Sequence, residues 1–145
     1  MSEKKLSYRV AEKIFETENF ASSLGIEYID IDDGYAKVKM EINENHKNGN
    51  NTCHGGAIFT LADTAFALAC NSRNVVSVGQ FCDISYVKPA FIGDTLVASA
   101  TEKYLSGRTG IYDILVTNQK FETIALFQGK SRALNAAVLD EEEVS

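Results

Sequence analysis

The sequence predicts an α+β fold in which one long apolar helix packs against a curved antiparallel sheet of about five to six strands. The predicted order of elements is a short helix, two strands, a long helix and four more strands. Consecutive strands joined by short turns pair antiparallel. The long helix over 55–72 is too hydrophobic to be half exposed. We therefore expect either that the sheet curls around this helix or that a second chain covers it.

The hydrophobic pattern predicts each element in turn. Apolar residues at helical spacing indicate an amphipathic helix over 8–20. A hairpin with a glycine turn follows, and alternation over 35–42 is typical of a strand with one solvated face. A polar, Asn-rich loop at 43–53 precedes the long helix. The remaining strands are predicted over 75–87, 95–105, 109–117 and 123–134.

Length, charge and cysteine usage narrow the classes of protein. A chain of 145 residues is enough for one domain, with ends at 1–7 and 138–145 that we expect to be flexible. The net charge of −6 argues against bulk nucleic-acid binding. The sequence has no apolar run long enough for a membrane span and no signal-peptide pattern. Cys53, Cys70 and Cys82 lack metal-type spacing, so we expect free thiols in a reducing cytoplasm.

A glycine pair at the start of the long helix stands close to an isolated acid. Gly55 and Gly56 are either turn glycines or an oxyanion hole, in which backbone N–H groups bind developing negative charge. Asp63 lies in the apolar stretch 57–70. It is either a satisfied carboxylate, bonded for example to Thr60 or Thr64, or a general base or nucleophile with a pKa raised by desolvation.

The spacing of these two motifs links any shared chemistry to a second subunit. Gly55 and Asp63 are about 12 Å apart along one helix axis, at 1.5 Å per residue. They cannot both touch one carbonyl group within one chain. If both act, a symmetric dimer with antiparallel helices brings Asp63 of one chain beside Gly55 of the other, twice.

Other polar residues near the helix start have structural and functional interpretations. Adjacent Cys53 and His54 point apart, which argues against a catalytic pair, and together with His46 they lack a fourth metal ligand. We interpret His54 as a positioned or structural histidine that lines the pocket. Asn48 is either a turn residue or a group that holds a thioester carbonyl or the attacking water.

Cations in the predicted loops and strands are either solvated surface charges or contacts to a phosphate. Lys88 beside Pro89 and Arg108 in the turn 106–108 are placed where loops meet a phosphate. The remaining candidates are Arg73, Lys130 and Arg132. The sequence contains no Walker-type or Rossmann-type glycine signature, so any nucleotide is held by surface cations.

The motif N-x5-HGG-x2-F-x-L-A-D-x-A-F-A-x-A-x-N runs from Asn48 to Asn71. Downstream pieces such as Lys88-Pro89, Gly107-Arg108-Thr109-Gly110 and Gly129-Lys130-Ser131 follow in order. This pattern resembles the hotdog-fold acyl-CoA thioesterases, closest to the phenylacetate-degradation (PaaI-type) branch, over roughly residues 25–134. The resemblance implies a hotdog fold, a dimer-interface active site and a dimer or dimer of dimers. It implies no metal and no cofactor, because coenzyme A is part of the substrate.

By that resemblance, Asp63 is the nucleophile or general base, and the Gly55 N–H polarises the thioester carbonyl held with the other subunit. Asn48 and His54 are expected to orient substrate or water. Further expected contacts to substrate or coenzyme A are Gly56, Asn71, Gly79, Lys88, Arg108 and Lys130. Some relatives hold the water with a Ser or Thr near the position of Gly79, or carry a Thr where this chain has Ala67.

Three hypotheses for function follow. The first is hydrolysis of acyl-CoA thioesters, with a small aromatic acyl group of the phenylacetyl type. The second is a hotdog enoyl-CoA hydratase or dehydratase, which would pair an acid with a catalytic histidine; neither His46 nor His54 lies in such a motif. The third is a non-catalytic acyl-CoA-binding protein on the same fold.

Overall fold

In the computed structural model, which describes residues 4–145, six strands form one antiparallel sheet. The strands are β1 (Glu27–Asp32), β2 (Tyr35–Glu41), β3 (Ser77–Tyr86), β4 (Thr95–Ser106), β5 (Thr109–Thr117) and β6 (Thr123–Ala133). The helices are α1 (Leu6–Phe15), α2 (Asn19–Ser23), α3 (Gly55–Cys70) and α4 (Glu141–Val144). The sheet order is β1-β2-β4-β5-β6-β3. The predicted α+β architecture, with a central helix against a six-stranded antiparallel sheet, is confirmed.

The central helix α3 contacts all six strands, and its buried side chains fill the core. Alternate residues of β2 and β4, such as Val38, Met40, Leu96 and Ala98, point inward and are fully buried. One stripe of α3 stays partly uncovered, since Phe59, Thr60, Asp63, Ala67 and Cys70 are only half buried. Within residues 4–145, no helix is long and apolar enough to cross a lipid bilayer.

The strand β3 lies at one edge of the sheet, although the next strand in sequence, β4, lies in the middle. It pairs antiparallel with β6 and leaves its other edge open. Expecting consecutive strands to be neighbours is therefore wrong for this pair. The segment 87–94 crosses three strand spacings, about 14 Å, which eight extended residues can span. On its way it passes the start of α3, where Cys53 N–H donates to Ala90 C=O at 2.8 Å.

The N-terminal helix predicted over 8–20 is two helices. The chain breaks after α1, and the Glu18 carboxylate then accepts a hydrogen bond from Ala21 N–H at 3.4 Å, which begins α2. A single 3-10 turn, Glu44–His46, lies inside the predicted loop 43–53.

We expected the two chain ends, 1–7 and 138–145, to be flexible, and each has residues within or against α1. Leu6 and Ser7 belong to α1, while residues 1–3 lie outside the described part of the chain. At the other end Lys13 contacts Glu143 at 2.9 Å.

A half-buried ion pair joins the end of α3 to the sheet. Arg73 donates two hydrogen bonds to the Glu102 carboxylate, at 2.7 and 3.0 Å. The buried hydroxyl of Tyr112 donates to the same carboxylate at 2.9 Å. The Arg73 guanidinium holds the pKa of Glu102 below its usual value, and burial raises the pKa of Tyr112 so that its hydroxyl stays protonated. Glu102 thus links α3, β4 and β5.

We expect Glu102→Gln to lower the free energy of unfolding by about 1.5–3 kcal/mol at neutral pH, the range for hydrogen bonds to charged groups. Because the Glu102 pKa is lowered by folding, this stabilisation is present above the ordinary carboxyl pKa and is lost as the pH falls through the lowered value. Urea unfolding at pH 7 and pH 4 measures both effects. The control is Glu16→Gln, an exposed partner of Lys13 at 3.8 Å that should change stability little. Equal losses in the two variants would contradict the prediction.

Candidate active site

The first residues of α3 leave one backbone donor free. His54 is the N-cap, and its Nδ1 accepts a hydrogen bond from Gly56 N–H at 2.8 Å. The next two N–H groups, of Ala57 and Ile58, donate to His54 C=O. Gly55 N–H has no acceptor among the residues that the structure describes. The pair of glycines therefore offers a single N–H, that of Gly55, at the positive end of the helix dipole.

The backbone before this donor is held by the buried His46. His54 N–H donates to His46 C=O at 2.6 Å. The His46 ring bridges two segments of backbone, since Nδ1 accepts from Asn43 N–H at 3.0 Å and Nε2 lies 2.8 Å from Leu24 C=O. Both ring nitrogens are thus used by the backbone, which makes His46 structural. His54 is exposed and caps the helix.

Tyr86, the last residue of β3, reaches the first residue of α3. Its hydroxyl donates to Gly55 C=O at 2.9 Å. Its ring also lies against the glycine: a Cβ added to Gly55 would stand 3.2 Å from Tyr86 Cζ. A tyrosine hydroxyl is protonated and able to donate at neutral pH, and partial burial raises the pKa of Tyr86 further. The edge strand of the sheet thereby fixes the start of the helix.

Asp63 is a half-buried carboxylate without a hydrogen-bond partner in the described part of the chain. The two threonines that were expected as possible partners bond elsewhere. Thr60 Oγ1 donates to Gly56 C=O at 2.8 Å, and Thr64 Oγ1 donates to Thr60 C=O at 2.6 Å. Burial raises the pKa of Asp63, and the Glu18 carboxylate raises it further. A desolvated, unpaired carboxylate of this kind suits proton transfer or attack.

The three cysteines are free thiols held in the protonated form. Burial raises the pKa of Cys53 to about 11 and that of Cys70 to about 12. Burial also raises the pKa of Cys82, and the Asp63 carboxylate adds to the rise for Cys70 and Cys82. None of these thiols has the lowered pKa of a nucleophilic cysteine.

Two asparagines of the motif are used to shape the backbone. Asn48 closes the loop 48–52, since its Oδ1 accepts from Asn50 N–H and Thr52 N–H and its Nδ2 donates to Thr52 Oγ1. Asn71 is buried beyond the end of α3, where its amide bonds to Ala67 C=O and to the backbone N–H and C=O of Ser77. This leaves Asn71 no free polar group for a ligand, so we leave it out of the proposed site.

Gly79 lies beside a β-bulge in the edge strand β3. It is exposed, and a Cβ added to it would stand 3.2 Å from the Phe66 ring. The glycine therefore gives room to an aromatic side chain of α3. The bulge makes Gln80 the extra residue of the strand.

A surface groove of about 400 Å³ lies beside Gly55, with Thr52, Cys53, Gly55 and Ile58 on one side and residues 86–90 on the other. His54, which we expected to line the pocket, is not among the residues that line this groove. Lys88 lies in this groove and forms an ion pair with Glu122. Arg108 lies in the turn between β4 and β5 and donates to Asn135 at 2.8 Å. Lys130 is on the outer face of β6, away from α3.

The structure keeps the candidate residues apart within one chain. Gly55 and Asp63 are eight residues apart on one continuous helix, as the sequence required. Lys88 lies at the Gly55 end of α3, whereas Arg108 lies at the opposite end, where β3 begins and β6 ends. Within one chain, the N-terminal end of α3 therefore holds Gly55 together with His54, Tyr86 and Lys88. Asp63 lies further along the helix, where Glu18 approaches it.

Sequence reasoning missed two residues that touch or bias the candidate site, Tyr86 and Glu18. The alternation of β3 could have indicated that Tyr86 shares the inner face with Cys82 and Ile84. No pattern in the sequence indicated Glu18, because its approach to Asp63 depends on how α2 folds back.

Comparison with known proteins identifies the family of this chain. The family model of the thioesterase superfamily matches residues 50–125. The acyl-coenzyme A thioesterase PaaI of Escherichia coli is 42% identical over 135 residues, which cover 93% of this chain and 96% of that protein.

Solved structures show the same fold. The E. coli PaaI protein from the phenylacetic acid degradation operon superposes with a TM-score of 0.88 at 42% identity, covering 92% of this chain and 99% of that one. A Streptococcus mutans protein bound to acetyl-CoA superposes with a TM-score of 0.74 at 26% identity, covering 77% and 90%. The chain therefore belongs to the thioesterase superfamily, among the hotdog-fold acyl-CoA thioesterases of the PaaI type.

Proposed function

We propose that the protein hydrolyses acyl-CoA thioesters at a composite site, in which Asp63 of one subunit faces Gly55 of another. The observation that carries the proposal is an unpaired, half-buried carboxylate and a free helix N-terminal N–H on the same rigid helix. The carboxylate suits the attack on the acyl carbon, as a base or nucleophile, and the N–H suits the carbonyl oxygen as it gains negative charge. Their separation of about 12 Å along α3 requires an antiparallel pair of helices to unite them.

The chemistry needs few groups, because a thiolate leaves readily at neutral pH. Water attacks the thioester carbonyl carbon and gives its proton to the Asp63 carboxylate, or that carboxylate attacks first and water later releases the acyl group. In either route the carbonyl oxygen gains negative charge and accepts a hydrogen bond from Gly55 N–H. The C–S bond then breaks, and the products are a carboxylic acid and coenzyme A. His54 and Asn48 keep the helix start and its loop in shape.

We propose a small aromatic acyl group as the preferred substrate. Phe59 lies one helical turn before Asp63 and is half buried, with its ring 5.3 Å from that of Phe127. An aryl group bound beside Asp63 can pack against this partly buried ring. The PaaI relative, which is named for phenylacetic acid degradation, supports the same choice. A role in such a pathway, in the cytoplasm, is consistent with three free thiols.

Lys88 is the proposed phosphate contact beside the Gly55 groove. In the antiparallel dimer, the far end of the partner's α3 extends past Gly55, which would bring Arg108 of the partner subunit to the same side. This arrangement supports a dimer as the smallest active unit, and pairing of dimers would give the tetramer. Lys130 and Arg132 on the outer sheet face would then serve solubility or subunit packing.

The hydratase hypothesis is disfavoured by the histidines, because His46 and His54 are both bonded to backbone groups and neither contacts Asp63. The non-catalytic hypothesis is kept as an outcome of the assays below. Under it, acyl-CoA would bind without release of thiol.

We expect Asp63→Asn to lower kcat by roughly 10²–10⁴, the contribution of a lost general base. Thiol release from phenylacetyl-CoA, benzoyl-CoA, acetyl-CoA and octanoyl-CoA measures both activity and acyl preference. Asp83→Asn is the matched control, since this exposed carboxylate lies on the outer face of β3. Full activity in Asp63→Asn would overturn the assignment of the catalytic acid. Tight binding without hydrolysis in the wild type would favour the non-catalytic hypothesis.

The acid side of the pH profile should depend on Glu18. Burial and the Glu18 charge raise the pKa of Asp63, so activity should fall at a higher pH than an ordinary aspartate would give. Glu18→Gln removes the repulsive charge and lowers the pKa of Asp63, which should shift the acid limb of kcat/KM to lower pH. The glutamine oxygen can still accept from Ala21 N–H and cap α2. Glu16→Gln should leave the profile unchanged; an identical profile for Glu18→Gln would contradict the electrostatic argument.

Mixed dimers test whether the site is shared between subunits. Gly55→Pro removes the N–H donor at a helix position that tolerates proline, and His54 already has the extended backbone that a following proline needs, with φ −59° and ψ 134°. Each inactive variant alone, Gly55→Pro or Asp63→Asn, should stay inactive. Random mixing by co-expression should restore about a quarter of wild-type activity, because each heterodimer regains one intact site of two. A site within one chain would show no recovery.

A further inference from the structure

We propose that Tyr86 is a positioning residue that holds Gly55 N–H in line for the thioester oxygen. The inference rests on the proposed function of Gly55 as the oxyanion donor. Tyr86 makes a contact that the reaction chemistry does not itself require: its hydroxyl donates to Gly55 C=O at 2.9 Å, from a different element of the fold.

The need for such a restraint follows from the sequence at the helix start. Two glycines in succession have more backbone freedom than any other pair of residues. An oxyanion donor loses its effect when it strays by about 0.5 Å or 10–20° from the productive geometry. The peptide that carries the Gly55 N–H is held at its carbonyl, because His54 C=O accepts from Ala57 N–H and Ile58 N–H. The next peptide is held at Gly56 N–H, which donates to His54 Nδ1. Both restraints come from the same turn of chain, and Gly55 has no side chain that could anchor this turn to the rest of the fold.

Tyr86 supplies this restraint in two ways. The hydroxyl binds the carbonyl of Gly55, and the ring covers its Cα so closely that an added Cβ would stand 3.2 Å from Cζ and 3.3 Å from Oη. Gly55 has no positive φ, so an alanine there would carry no left-handed backbone strain, and its nearest contacts would be with the Tyr86 ring. The Tyr86 ring would have to give way by a few tenths of an ångström to admit that Cβ.

The edge strand holds Tyr86 at this point. Tyr86 pairs with the small, buried Ala125 of β6. The chain after it is tied down by Val87 N–H, which donates to Ile124 C=O at 2.9 Å. Tyr86 is half exposed, and its hydroxyl is protonated at neutral pH, as an ordinary tyrosine is. Tyr86 therefore acts from a fixed backbone, at the mouth of the groove that also contains Lys88.

The test is Tyr86→Phe, which keeps the ring and removes only the hydroxyl. We expect kcat for phenylacetyl-CoA to fall about 3- to 10-fold, the effect of one neutral hydrogen bond, while KM changes less than about twofold. Tyr104→Phe is the control, because this exposed tyrosine of β4 makes no side-chain hydrogen bond in the part of the chain described. It should retain wild-type kcat and KM.

A spectroscopic measurement reports the positioning directly. The probe is a phenylacetyl-CoA analogue in which a methylene replaces the thioester sulfur, so that it binds and is not cleaved. Its carbonyl stretching frequency should be lowered on binding to the wild type and to Tyr104→Phe, and lowered less in Tyr86→Phe. This readout needs binding only, so it tests Tyr86 even if the wild type releases no thiol, a result that would instead overturn the proposed function.

A double-mutant cycle supplies an independent check. Gly55→Ala should shift the Tyr86 ring by a few tenths of an ångström and weaken its hydrogen bond to Gly55 C=O, so Gly55→Ala with Tyr86→Phe should be little worse than Gly55→Ala alone. Wild-type kcat and an unchanged carbonyl frequency in Tyr86→Phe would overturn the inference. The inference would also be overturned if the losses of the two single variants multiplied in the double variant. It would be overturned as well if Tyr86→Phe lowered kcat, raised KM by an equal factor and lowered the melting temperature.

Discussion

The rigidity of α3 is the constraint on which the rest of the arrangement depends. An α-helix rises by a fixed 1.5 Å per residue, so the N–H at its first residue and the carboxylate two turns later stand at a distance that no side-chain rotation removes. Six strands pack against this helix. A site that uses both groups must therefore be completed by a second copy of the helix. The open edge of β3 and the partly uncovered stripe of α3 leave room for that copy.

The start of α3 is held by parts of the chain that are distant in sequence. His46 supports His54, the segment after β3 binds Cys53 through Ala90, and Tyr86 reaches Gly55. These contacts restrict the backbone of Gly55 and Gly56. Among the described residues they leave one N–H at the helix start, that of Gly55, without an acceptor. The opposite end of the helix is anchored differently, by Asn71 within the backbone and by the Arg73–Glu102 ion pair. The contacts at its two ends therefore hold α3 in place, although one stripe of its side chains is only half buried.

The surroundings of Asp63 differ from those of a structural carboxylate. The hydroxyls of the neighbouring Thr60 and Thr64 donate to helix carbonyls and not to Asp63, as hydroxyls within helices often do. Within residues 4–145, the one charged group that shifts the pKa of Asp63 is the like-charged Glu18 carboxylate. A carboxylate placed in this way is raised in pKa and is free to exchange a proton, whereas a structural carboxylate such as Glu102 is paired and lowered in pKa.

The sequence by itself determined the helix–sheet architecture, the strand boundaries to within a few residues, and the motif from Asn48 to Asn71, because these depend on local periodicity and spacing. It also determined that Gly55 and Asp63 cannot meet in one chain, because helix geometry is fixed. Only the tertiary structure decided that β3 pairs with β6, that Asn71 is consumed by backbone contacts, and that Glu18 and Tyr86 approach the site. Those outcomes depend on which distant segments come into contact, and such pairings are set by packing of the whole fold.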